Sequence, residues 1–113
     1  MIWTQPGEFN RKISIQKIGG YIIDENGDKL PNWVNVFDNV STKISITSGR
    51  EYWASRKENN EWDGLFKIQY SKERSIIDAT MRIIYGNRIF DITNPTDPEE
   101  AHREIWIEAR EVV

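Results

Sequence analysis

Apolar residues recur along this chain at every second position, the spacing of a strand with one buried face, and nowhere is a 3.6-residue spacing sustained. Ile13 and Ile15 alternate with Ser14 and Gln16, and Gly19-Gly20 is expected to break that first run. Tyr21 to Ile23 then leads into Asp24-Glu-Asn-Gly-Asp28, where Asn26-Gly27 marks a tight turn because both residues tolerate positive φ. Pro31 is placed on the loop side of that turn. Val34, Val36, Val40, Ile44 and Ile46 share one parity, with Asp38-Asn39 as a bulge that bends a long, curved strand. Phe66, Ile68 and Tyr70 share the face of a strand that follows Gly64, and Ser71 to Ser75 is a charged connection. Met81, Ile83 and Tyr85, the turn Gly86-Asn87, then Phe90 and Ile92 spell a hairpin. Asn94-Pro-Thr-Asp-Pro98 is expected to end its ladder. In the last strand Ile105, Ile107 and Ala109 take one face and Trp106, Glu108 and Arg110 the other.

Several strands with turn signals and no alternating helices predict an all-β fold, a small β-barrel of about six strands. Residues 1–10 read as an N-terminal arm and 11–113 as one domain, since 113 residues suffice for a single core. Enough bulky material is present to fill it, 38% of residues being hydrophobic and 12% aromatic.

One segment breaks the pattern. Thr47 to Gly64 is polar and charged with no periodic apolar face, and reads as a long loop. Ser48 and Glu51 have capping-box spacing for one short helix, which Asn59-Asn60 would end early. Loops of this length inside a small domain are usually functional or disordered. With no face to pack, little offsets the ordering entropy of roughly 1–2 kcal/mol per residue, so the loop is expected to order only against neighbouring subunits.

Chemistry finds few footholds. His102 is the only histidine and lies in a polar stretch, so a surface role is expected and no His-based triad or metal cluster can be built. Asp24, Asn26 and Asp28 open like an EF-hand loop, but Lys29 and Asn35 stand where that loop needs Gly and Glu. Asp97, Glu99 and Glu100 have no apolar surroundings to raise a carboxyl pKa. The glycines are scattered at turns rather than grouped as a phosphate cradle. Without Cys there is no thiolate chemistry and no disulfide scaffold. No catalytic, cofactor or metal site is therefore expected, and the protein is read as a non-enzyme. No apolar run is long enough to span a membrane, and Met1 to Asn10 lacks a signal-peptide pattern. Fifteen Lys and Arg against 18 Asp and Glu give a net charge of −3, which disfavours tight binding to phosphate backbones. Trp3, Trp33, Trp53, Trp62 and Trp106 could serve as base-stacking platforms on an OB-like single-strand-binding module, the least favoured alternative. Trp106, outward on the last strand, and Trp3 are candidate subunit-interface residues instead.

Five features then fall in the order found in one family: Phe9-Asn-Arg-Lys-Ile-Ser-Ile-Gln16, the Trp33 to Ile44 strand leading to Ser48-Gly-Arg-Glu-Tyr52, and Phe66-Lys-Ile-Gln-Tyr70. After them come the hairpin Met81-Arg-Ile-Ile-Tyr-Gly-Asn-Arg-Ile-Phe-Asp-Ile92 and the final strand from Glu104 to Glu111. Across residues 9–111 the chain resembles the tailed-phage head-tail adaptor family, also called head-completion or stopper proteins. It departs at Gln69, where the family often has Arg, and in the Trp-rich loop through Trp53 and Trp62. The resemblance implies a virion subunit, made in the host cytoplasm. It would form a homo-oligomeric ring below the portal, between a portal-proximal connector protein and a tail-side protein. Such a ring closes the DNA channel after packaging and offers the tail its attachment surface. Packaged DNA would pass without tight binding. The family's long loop is associated with the channel, which makes Ser48, Gly49, Arg50, Glu51, Tyr52, Trp53, Arg56, Lys57, Glu58, Glu61 and Trp62 the candidate channel residues. A tail-completion or neck protein of similar β build is the runner-up.

Overall fold

In the computed structural model, which describes residues 3–46 and 63–112, the alternating pattern becomes six antiparallel strands. They are β1 (Arg11–Ile23), β2 (Lys29–Ile46), β3 (Gly64–Gln69), β4 (Arg82–Tyr85), β5 (Arg88–Thr96) and β6 (Glu104–Glu111), with short 3-10 turns between some of them. The sheet closes in the order β1-β2-β3-β6-β5-β4, so the all-β barrel expected from the sequence is the fold. Closure rests on one short seam, where Ser14, Ile15 and Gln16 of β1 pair with Ile84, Ile83 and Arg82 of β4.

The barrel is filled rather than hollow, as its small strand number requires. Ile13, Ile15, Val40, Ile68, Ile83, Ile92, Ile105 and Ile107 point inward around Phe66 and Phe90. Those two rings meet edge to face, with centroids 5.0 Å apart. The buried Thr42 hydroxyl is satisfied by donating to the Lys67 carbonyl at 2.9 Å. At Gly64 a Cβ would lie 3.0 Å from the Phe66 ring, so the chain re-enters the barrel at a residue without one.

Four local expectations are corrected. Gly19-Gly20 does not end the first strand, which continues to Ile23. The register instead shifts between Ile18 and Tyr21, and Gly20 takes φ 135°, a conformation that lets a bulge absorb the extra residue. Pro31 lies within β2 and pairs with Tyr21; no third strand neighbours it, so its missing N–H breaks no ladder. The bulge at Asp38-Asn39 is present, with Asn39 at φ 51°, but it also switches parity: Phe37, not Val36, packs on the core before it, and Val40 and Thr42 do so after it. Finally, Pro95 does not stop β5. It pairs with Ile107 of β6 where β4 has already ended at Asp91's partner Arg82, so again only one side of the strand needs hydrogen bonds.

The turns follow their residues. Asp24 Oδ1 accepts the backbone N–H groups of Asn26 at 2.9 Å and Asp28 at 2.8 Å, and of the Asn26-Gly27 pair only Gly27 takes positive φ, at 83°. Gly86 occupies the first position of the two-residue β4–β5 turn at φ 60°. Among the described residues no helix is long and apolar enough to cross a membrane.

Candidate assembly site

Strand direction sorts the molecule into two ends. Because neighbouring strands are antiparallel, the β1–β2 turn lies at the same end as Gln69, Thr96 and Glu104. The opposite end holds Ile46 paired with Gly64, the strand residues that flank positions 47–63 in sequence. All the candidate channel residues, Ser48 to Glu51, Tyr52, Trp53, Arg56 to Glu58, Glu61 and Trp62, lie outside the described residues, as does the Ser48–Glu51 capping box. The structure fixes only the two points where that segment leaves and rejoins the wall.

The two candidate interface residues are brought together. Trp3 meets Trp106 edge to face, with centroids 6.5 Å apart and planes at 65°. As the alternation predicts, Trp106 points away from the core, but it is half-buried rather than bare. Lys67 Nζ sits 4.3 Å from its ring centroid, and its indole Nε1–H donates to Glu104 Oε1 at 2.9 Å.

Glu104 is the organising residue. It opens β6 and is 3% exposed, an unusual position for a carboxylate unless hydrogen bonds replace its lost water. Thr4 supplies them: its backbone N–H donates to Oε2 at 2.6 Å and its hydroxyl to Oε1 at 3.0 Å. Arg103 lies over the Trp3 ring at 5.2 Å. Further along, the 3-10 turn Pro6–Glu8 carries Glu8 to Lys43, 2.7 Å away. The hydrogen bond from Lys43 is the main reason the Glu8 carboxyl titrates below its usual range. Residues 3–8 are thus strapped across the outside of β6, β3 and β2. Sequence reading found both tryptophans but missed Glu104 and Thr4. The alternation puts Glu104 on the outward face, and nothing local signals a partner 100 positions away.

Other charged groups stiffen the wall. Arg88 makes a two-bond pair with Glu111 at 2.8 and 2.7 Å, which raises the guanidinium pKa and lowers the carboxyl's. Arg82 stacks over Trp33 at 4.1 Å and donates to Gln16 at 2.8 Å, with burial lowering its pKa. Trp3, Trp33 and Trp106 therefore each have a cation of the same chain over one ring face. His102 is exposed, hydrogen-bonded to Asp97 and stacked on Tyr70 with centroids 4.7 Å apart. Among the described residues no three His, Cys, Asp or Glu side chains gather as metal ligands.

Comparison with known proteins gives one family and one fold. The family model of phage head completion proteins matches residues 4–112, nearly the whole chain. No curated protein matches. Among solved structures, the solution structure of protein SF1141 from Shigella flexneri 2a shares 22% identity, covers 96% of each chain and has a TM-score of 0.64, a likeness of fold.

Proposed function

Because the chain belongs to the phage head completion protein family, whose role is virion assembly at the head-tail junction, we propose that it forms a ring below the portal. That ring closes the DNA channel after packaging and gives the tail its attachment surface. The observation that carries this reading is the two-ended build of the barrel. One end bears the β1–β2 hairpin, and the other bears the roots of the loop that holds the candidate channel residues. A joint between head and tail needs two such unlike ends, one for each neighbour.

The charge balance supports the same reading. A net charge of −3 lets DNA slide past a subunit that does not clamp it. The loop's three basic residues, Arg50, Arg56 and Lys57, and three acidic ones, Glu51, Glu58 and Glu61, allow pairing between subunits around a channel. The portal-proximal connector and a tail-side protein are the partners this arrangement implies.

The test is the phenotype of particles made without the protein. Filled heads that leak DNA, restored by adding the purified subunit, are the expected result. Stable, full heads that lack only the tail would instead assign a tail-completion role.

A further inference from the structure

We propose that the outer half of the β1–β2 hairpin is the subunit-to-subunit contact, seated in a cavity on the neighbouring copy of this chain. This rests on the ring reading above and names the surfaces that would build it.

Beyond Gln16, β1 has no partner but β2, and before Thr42, β2 has no partner but β1. The outer hairpin is therefore a two-stranded ribbon standing off the barrel, in a molecule measuring 50 × 36 × 23 Å. Such ribbons are marginal in water unless something covers them. This one carries apolar side chains on both faces: Ile22 opposes Leu30 on one, and Tyr21 and Ile23 lie on the other, opposite Pro31 and Lys29. Tyr21 is 62% exposed, Ile23 59%, Ile22 53% and Leu30 47%. With Ile18 they leave roughly 500 Å² uncovered, over half of the ~800 Å² that each partner gives to a standard interface.

The same chain offers a receiving site. At the end of the barrel from which the ribbon rises, Tyr70, Ile77, Pro95 and Ile105 line a largely apolar cavity of about 160 Å³, with Arg74 and His102 among its polar residues. That is room for one aromatic ring, since apolar cavities of about 150 Å³ hold benzene. Polar lining residues surround that apolar floor, Arg74 and Asp97 among them, so the match between ribbon and cavity rests on shape and apolar surface.

Position makes the occupant a second copy. In the order β1-β2-β3-β6-β5-β4, the ribbon's strands stand across the barrel from β6 and β5, whose ends border the cavity. A projection and a recess on opposite sides of one end form a head-to-tail contact, the kind that builds a ring when its rotation closes.

The chain has no cysteine, so paired single substitutions report the contact directly. Asn26→Cys, in the ribbon's exposed turn, and Thr96→Cys subunits, incorporated together into particles and treated with a short bismaleimide, should give a 26–96 crosslinked dimer. Asn26→Cys with Asn87→Cys, at the other end, should not. Tyr21→Ser combined with Ile23→Ser should leave the barrel's melt intact and lower incorporation at least tenfold. Incorporated subunits that give no 26–96 product, or mainly 26–26 or 26–87 products, overturn the contact while leaving the ring reading standing. Absence of the unaltered subunit from finished particles removes the ring and the contact with it.

Discussion

Replacing Glu104 with Ala tests whether residues 3–8 are held to the barrel by one buried carboxylate. The native side chain accepts three hydrogen bonds, from the Thr4 N–H, the Thr4 hydroxyl and the Trp106 indole. Hydrogen bonds to charged groups contribute roughly 1.5–3 kcal/mol each, but freed Thr4 donors can find water once the strap lifts. Only the Trp106 N–H risks being left buried and unpaired. The expected loss is therefore about 2–4 kcal/mol, not the sum of three full bonds, out of the ~5–15 kcal/mol typical of a small domain. For a chain of this size that corresponds to a melting temperature lower by on the order of 10 °C. Glu104→Gln keeps the shape but turns an N–H₂ group toward donors, and should lose about half as much. Trp106→Phe removes one donor and should cost about 1 kcal/mol. Hydrogen exchange supplies the local readout: the Thr4 amide, protected by its 2.6 Å bond, should exchange freely in Glu104→Ala while the Phe66 and Ile107 amides stay slow. A variant melting within about 0.5 kcal/mol of the parent, with Thr4 still protected, refutes the strap.

Acid should loosen the seam between β5 and the end of β6. The Glu111 carboxyl is lowered from its usual 4.5 by the hydrogen bond from Arg88, so the pair's contribution is complete above that value and is lost as pH falls through the folded-state pKa. Arg88→Ala should thus lower the unfolding free energy from urea titration at neutral pH, by about 1 kcal/mol or less for so exposed a pair, and converge with the parent in acid; a gap constant with pH contradicts this. Gly64→Ala, whose methyl would press on the Phe66 ring at 3.0 Å, should cost about 1–3 kcal/mol in chemical denaturation, and a neutral result would mean the ring moves freely. Duplex DNA should bind weakly at physiological salt, as 15 basic residues are outnumbered by 18 acidic ones; sub-micromolar, steeply salt-dependent affinity in a fluorescence titration would reverse the charge argument.

Much of this fold is written locally, in residues that touch within a few positions of one another. The alternation of Ile105, Ile107 and Ala109 against Trp106 names both faces of β6, and Gly86-Asn87 names the β4–β5 turn, because strand faces and turn conformations depend on neighbours in sequence. The same locality misleads at Gly19-Gly20, Pro31 and Pro95. Whether a glycine or proline ends a strand depends on which partners lie alongside, and there the free side of the strand made a bulge or a missing N–H tolerable. Asn39 shows a middle case: its bulge was readable, but the exchange of Phe37 for Val36 at the core follows only once the register with β1 is known. Closure through Ser14 to Gln16 and Arg82 to Ile84, and the burial of Glu104 beneath Thr4, belong wholly to the tertiary structure. Periodicity assigns Glu104 to the outer face, and the outer face is ordinarily wet. Only the chain's return across β6 decides that this one position is dry, and a dry carboxylate must find its hydrogen bonds wherever the fold brings donors to it.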